Sequence, residues 1–327
     1  MSVSSTLQSR DSLYAPVSRV MDRADWEEQF ADDIEAILRL KREKNAVILA
    51  HNYQTPEIFH CVSDIKGDSL ALAREAQNVD ADIIVMAGVH FMAETAKMLN
   101  PEKLVLIPDE RAGCSLAESI TAENVRAMRR EYPGVPVVTY VNSTAEVKAE
   151  SDVCCTSGNA KKIVESLGTD RVIMIPDQYL ARNIEAETGI KMLTWPGSCE
   201  VHERFTPQEI RQYRRMHPGV VVIAHPECPP EVVAEADFSG STARMIDFVA
   251  EKRPEKALLV TECSMSDNLT TLSPDTEFVR PCNLCPHMKR ITLKNIRTTL
   301  ENLETPVTIP EELIAPARRA VERMLAV

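Results

Sequence analysis

Three stretches decide the fold: VILAHNY (Val47–Tyr53), VPVVTYVN (Val135–Asn142) and VVVIAHPE (Val220–Glu227). Each is a short β-branched run ending in polar or aromatic residues, as expected of a buried parallel strand whose carboxyl end opens on a site. Downstream of each, small residues open a helical pattern: Gly67-Asp68-Ser69, Ser157-Gly158-Asn159 and Gly240-Ser241-Thr242. A second strand follows each time, ADIIVMAG (81–88), DRVIMIPD (170–177) and KALLVTE (256–262). A third run then ends in cysteine: KLVLIPDERAGC, KMLTWPGSC and EFVRPCNLC, closing on Cys114, Cys199 and Cys285. These cysteines are 85 and 86 residues apart, and a fixed period signals a repeated supersecondary unit.

Strands alternating with helices predict α/β units around parallel sheets. The expected architecture is three pseudo-threefold-related, three-layer αβα domains over residues 45–127, 128–212 and 213–298. An extension with an amphipathic helix at 24–41 precedes them within 1–44, and a helical tail over 299–327, with its helix at 310–325, follows. Open α/β sheets bind ligands at the carboxyl ends of their strands. If those three edges face one axis, the ligand sites merge into one cavity at the central junction.

Composition narrows the function. With 44% hydrophobic and 26% charged residues, the 327-residue chain has ordinary globular usage, not that of a fibre or a disordered tail. It carries 37 Lys and Arg against 49 Asp and Glu, a net charge of −12, without a basic block. Nucleic acid and anionic membrane surfaces are therefore not expected partners. The first residues lack the apolar core of a signal peptide, and apolar runs such as 83–89 are too short to span a bilayer. A cytoplasmic location is expected. Nine cysteines in that reducing setting predict buried, catalytic or metal-bound thiols more than a disulfide framework.

Cys114, Cys199 and Cys285, one per repeat, would meet at the centre. Three thiolates at one point suit a soft metal centre, zinc or an iron–sulfur cluster. A cubane on three cysteines leaves one iron open to act as a Lewis acid in a dehydration. Cys282 forms a CxxC with Cys285, but a second CxxC is missing, so a closed zinc knuckle is not expected. Cys282 is given no cluster role, and Cys61, Cys154, Cys155, Cys228 and Cys263 are expected to pack as small hydrophobes.

The strand ends supply His51 and Tyr53, Tyr140 and Asn142, and His225 and Glu227. Residues two apart on an extended strand share a face, so each pair can point into the cavity, transfer protons and orient oxygen-rich intermediates. Ser69, Ser157 and Thr242 stand at helix starts, where hydroxyls and free N–H groups hold anions or simply cap the helix. The sequence has no GxGxxG, P-loop or radical-SAM cysteine motif, which removes support for hydride transfer, nucleotide hydrolysis and radical chemistry.

LAHNYQ (49–54), GDSL (67–70), VTYVN (138–142), TSGNA (156–160), WPGSCEVH (195–202), AHPEC (224–228), SGST (239–242) and CPHMKRITL (285–293) occur in that order. Over roughly residues 45–298 the chain thereby resembles the quinolinate synthase A family, iron–sulfur enzymes of de novo NAD biosynthesis. The resemblance implies condensation of iminoaspartate with dihydroxyacetone phosphate to quinolinate, phosphate and water. It implies a [4Fe-4S] cluster on Cys114, Cys199 and Cys285 with one open iron, and an L-aspartate oxidase as a candidate supplier of iminoaspartate. It assigns substrate contacts to His51, Ser69, Tyr140, Val141, Asn142, Ser157, His225, Pro226, Glu227 and Thr242. Tyr53, Tyr140 and Glu227 would lead proton transfer beside His51 and His225. In a dry cavity, Glu227 is expected to have its pKa raised toward neutrality. Three rival readings remain at this point: an aconitase-like hydro-lyase, a redox sensor switching through Cys282–Cys285, and a zinc enzyme using three thiolates and a water.

Overall fold

The strand that opens each repeat lies inside its sheet, not at the edge. In a computed structural model, which describes residues 9–327, the described residues form three four-stranded sheets, all parallel. The first holds β1 (Ala46–His51), β2 (Ile65–Gly67), β3 (Ile83–Ala87) and β4 (Leu104–Leu106) in the order β2-β1-β3-β4. The second holds β5 (Val137–Tyr140), β6 (Val153–Cys155), β7 (Arg171–Ile175) and β8 (Lys191–Thr194) in the order β6-β5-β7-β8. The third holds β9 (Val221–Ala224), β10 (Phe238–Ser239), β11 (Lys256–Val260) and β12 (Glu277–Val279) in the order β10-β9-β11-β12. One topology thus recurs three times, with helices covering the sheets, as the α/β reading predicts.

The sequence reading found three of the four strands per repeat and missed β2, β6 and β10. A shared device holds these edge strands. The residue before each is an aspartate whose carboxylate accepts a backbone N–H from the neighbouring first strand: Ile48 to Asp64, Val137 to Asp152 and Val222 to Asp237, each at 2.8 Å. The aspartate N–H returns a bond to the same residue's carbonyl, at 3.0, 3.0 and 2.8 Å respectively. A basic side chain from the preceding helix completes each hook: Lys41 on Asp64, Arg129 on Asp152 and Arg214 on Asp237.

Two other expectations change. The helix read at 24–41 is two helices, Arg23–Gln29 and Ala31–Glu43, broken at Phe30. Cys263, expected to pack as a free thiol, forms a disulfide with Cys282. At the far end, Thr305–Val307 runs antiparallel along β4, with Val307 N donating to Val105 O at 2.8 Å. The helix Glu311–Leu325 then buries Ala317, Ala320, Val321 and Met324 against β6 and helices Ala145–Ala149 and His90–Leu99. It therefore bridges the first and second sheets. Among the described residues, no helix is long and apolar enough to cross a membrane.

Candidate active site

The polar pairs sit in the turns just past the strands more than on the strands themselves. β1 ends at His51, β5 at Tyr140 and β9 one residue before His225. His51, Tyr53, Tyr140, Asn142, His225 and Glu227 nevertheless line one cavity. Two turns are locked alike: His51 Nδ1 accepts the Tyr53 N–H at 3.2 Å, and His225 Nδ1 accepts the Glu227 N–H at 3.3 Å. That bond assigns the proton of each neutral ring to Nε2. Burial pushes both imidazoles down to about 3, so they serve as uncharged hydrogen-bond donors.

Glu227 is the hub. Tyr140 Oη donates to its Oε1 in a short bond, Asn142 Nδ2 lies 3.4 Å from the same oxygen, and His202 Nδ1 lies 2.7 Å from Oε2. Burial pushes this carboxyl up, but His225 and His202 and the donors from His202 and Tyr140 outweigh it, holding it well below the ordinary range. The expected rise toward neutrality is thus reversed, because the reading from burial alone left out the converging donors. Tyr53 and Tyr140 are pushed well above the usual phenol range by burial, reinforced by Glu227.

Two residues in this network escaped the sequence reading. Thr261 Oγ1 lies 2.6 Å from Tyr53 Oη and 2.9 Å from His202 Nε2. His202 stacks on His225 with ring centroids 4.7 Å apart. A continuous hydrogen-bonded path therefore runs Tyr53–Thr261–His202–Glu227. The available signals were position alone: His202 falls three residues after Cys199, and Thr261 occupies the strand-end place that Gly88 and Pro176 hold in the other repeats.

The helix starts meet across the cavity from the strand ends. Asp68 and Ser241 do the capping, accepting from Ala71 N and Arg244 N. Ser69 and Thr242 are therefore not used as caps, and both face the cavity with Ser157; Thr242 Oγ1 accepts from Asn52 Nδ2 at 2.8 Å. Gly158 marks the junction: a Cβ there would lie 3.3 Å from Ser241 Oγ, 3.5 Å from Thr156 Oγ1 and 3.6 Å from Asp68 Oδ2, one atom from each repeat. Asn142 Oδ1 is buried and has no partner among the described residues, an acceptor free for a ligand. Val141 and Pro226 lie off the cavity wall: Val141 lines an adjoining apolar hollow with Phe91 and Met92, and the Pro226 carbonyl accepts from Asn183.

Cys114, Cys199 and Cys285 line the same cavity, each heading an equivalent turn. The carbonyl of each accepts the N–H four residues on: Glu118 at 3.0 Å, Glu203 at 3.0 Å and Lys289 at 3.1 Å. Backbone N–H groups two and three residues on, those of Leu116 and Ala117, Val201 and His202, and His287 and Met288, favour the thiolate at each sulfur. Burial pushes the thiols up, to about 12 for Cys114 and about 11 for Cys285, and well above normal for Cys199. Without a cation these thiols hold their protons. Gly197 lets the second turn in: a Cβ there would come within 2.6 Å of the Pro176 carbonyl oxygen.

Comparison with known proteins adds the decisive observation. Residues 35–326 match the family described as Quinolinate synthetase A protein, NadA. The chain belongs to the quinolinate synthase family. It is 68% identical over 324 residues to Quinolinate synthase 2 of Mesorhizobium japonicum, covering 99% of this chain and 100% of the relative. Identity to Quinolinate synthase of Agrobacterium fabrum is 66% over 316 residues, covering 97% and 91%. To Quinolinate synthase of Xylella fastidiosa it is 67% over 299 residues, covering 91% and 88%.

Membership of the quinolinate synthase family implies an iron–sulfur centre, and the thiols fit one. A single zinc on three thiolates would need sulfurs roughly 3.8 Å apart, from Zn–S bonds of about 2.3 Å. The three sulfurs are not all within 4.8 Å of one another; the one such donor set among the described residues is Cys199, His202 and Glu227. Three equivalent turns whose sulfurs do not all come within reach of a single ion suit a polynuclear cluster, whose sulfur ligands take hydrogen bonds.

Proposed function

We propose that this chain is a quinolinate synthase condensing iminoaspartate with dihydroxyacetone phosphate to quinolinate, phosphate and water. Cys114, Cys199 and Cys285 would hold a [4Fe-4S] cluster. The observation that carries the reading is the threefold set of N–H-lined cysteine turns around one cavity that also holds the Glu227 hub. When bound, the cluster supplies a Lewis-acid iron for a substrate hydroxyl or carboxylate.

The side chains suit these substrates chemically. Both are anionic, and the cavity meets them with neutral donors: Nε2–H of His51 and His225 and the hydroxyls of Ser69, Ser157 and Thr242. Asn142 offers Nδ2 and its free Oδ1 to one substrate, fixing its orientation. Glu227, ionised, is the proton acceptor. Tyr140 bonds it directly, and a proton gained there can move out through His202 and Thr261 to Tyr53, each group taking one proton as it gives another. Tyr53, at the distal end, can give a proton to a departing oxygen while Glu227 gains one, so the path carries charge without bulk water. The same reading puts the enzyme in the cytoplasm, with an L-aspartate oxidase supplying the unstable imine.

The test is anaerobic purification, metal and sulfide counts, and an assay for quinolinate from the two substrates. About four irons and four sulfides per chain are expected, with turnover, both lost in Cys114→Ala. Turnover by a metal-free or zinc-only chain would overturn the cluster. A loaded chain that makes no quinolinate but dehydrates a hydroxy acid would overturn the substrates.

A further inference from the structure

We propose that the cluster-free chain holds one divalent transition-metal ion, of the zinc or ferrous class, on Cys199, His202 and Glu227. Their donor atoms all lie within 4.8 Å of one another. His202 Nδ1 is 3.1 Å from Cys199 Sγ and 2.7 Å from Glu227 Oε2. A tetrahedral ion with bonds of about 2.0–2.3 Å spaces its ligands roughly 3.2–3.8 Å apart. Seating it requires these contacts to open by about half an ångström, without a change of fold.

The donor chemistry selects the ion. One sulfur, one imidazole nitrogen and one carboxylate suit a borderline-soft cation and not calcium or magnesium. Thiolate and carboxylate together offset its two charges in a buried site. The outer support is already built: Thr261 Oγ1 lies 2.9 Å from His202 Nε2, where it can take the ring's other proton, and Tyr140 and Asn142 hold the second oxygen of Glu227. All three ligands line the cavity, which leaves the fourth position open, as in catalytic more than structural zinc sites.

This inference goes beyond the quinolinate synthase reading and rests only on the geometry of Cys199, His202 and Glu227. Cys114 and Cys285 take no part in it. Because Cys199 serves both, ion and cluster exclude each other, and an ion that arrives first blocks loading and occupies Glu227.

The test is anaerobic titration of the full-length, cluster-free chain with Co²⁺, a coloured stand-in for zinc. One equivalent should bind with a charge-transfer band of one-thiolate intensity, and Zn²⁺ should displace it. Cys199→Ser and Glu227→Gln should abolish the band, Thr261→Val should weaken binding by about ten- to a hundredfold, and Cys114→Ser and Cys285→Ser should leave it unchanged. Circular dichroism checks that each variant is folded; Glu227→Gln, nearly isosteric, keeps the test open should Cys199→Ser unfold. A three-thiolate band that needs Cys114 and Cys285, or no stoichiometric binding, overturns the proposal.

Discussion

Glu227 takes bonds from Tyr140, Asn142 and His202, so its replacement separates proton transfer from architecture. Glu227→Gln keeps the volume and one acceptor. The expected outcome is at least a hundredfold loss of kcat, typical for loss of a general base, with iron content unchanged. Turnover at the wild-type rate would remove Glu227 as the base. Tyr53→Phe and Thr261→Val should each slow the reaction, and the double variant should be no slower than the worse single, because both cut one path. Of this set, repetition made His51, Tyr53, Tyr140 and Glu227 legible. His202 and Thr261 have no counterpart of their type in the other repeats, so the pattern that exposed their neighbours was silent about them. The direction of the Glu227 shift was equally hidden, since His225 and His202 and the donors from His202 and Tyr140 decide it against burial.

The elements missed in the sequence are the shortest. β2, β6 and β10 span two or three residues, too few for a period-two signal, yet the aspartates before them repeat as clearly as the cysteines do. Arg214 and Asp237 are partly exposed, and such ion pairs contribute about 0–1 kcal/mol. Leaving the Val222 N–H without its acceptor should cost more, about 1–3 kcal/mol. Asp237→Ala should therefore lower the urea midpoint clearly and Asp237→Asn only slightly; equal midpoints for Asp237→Ala and wild type would make the hook ornamental. The sequence reading gave Cys282 no place at the metal, and in the structure it is bonded to Cys263; the choice between Cys282 and Cys285 is for experiment. Iron content should survive Cys282→Ser and fail in Cys285→Ser, and the reverse would exchange their roles.

At the scale of the whole molecule, burying neutral imidazoles makes stability depend on pH. His51 and His225 are held down to about 3 in the fold, against about 6.5 in an unfolded chain. Between those values the unfolded state binds more protons, so stability falls as pH drops below about 6.5 and keeps falling toward 3. Each histidine should contribute a slope near 1.4 kcal/mol per pH unit in that window. Asp177, kept protonated by burial and by Glu227, works in the opposite direction. The measurement is therefore a difference: urea unfolding of wild type and His225→Asn at pH 7 and pH 5.5. Wild type should lose more stability than the variant on acidification. Parallel loss would mean that the imidazole is charged in the fold.

The three sheets share one topology, yet their matching positions are not filled alike: two histidines and a tyrosine (His51, His225, Tyr140) at one level, and Tyr53, Asn142 and Glu227 at the next. A homotrimer of one such unit would have to present three copies of whatever it placed beside the axis, three acids or three phenols crowded together. Joining the units in one polypeptide lifts that obligation. Each strand end can drift alone while the cysteine turns stay matched, so one architecture keeps its symmetry where the metal asks for it and abandons it where the organic chemistry needs an acid facing a base.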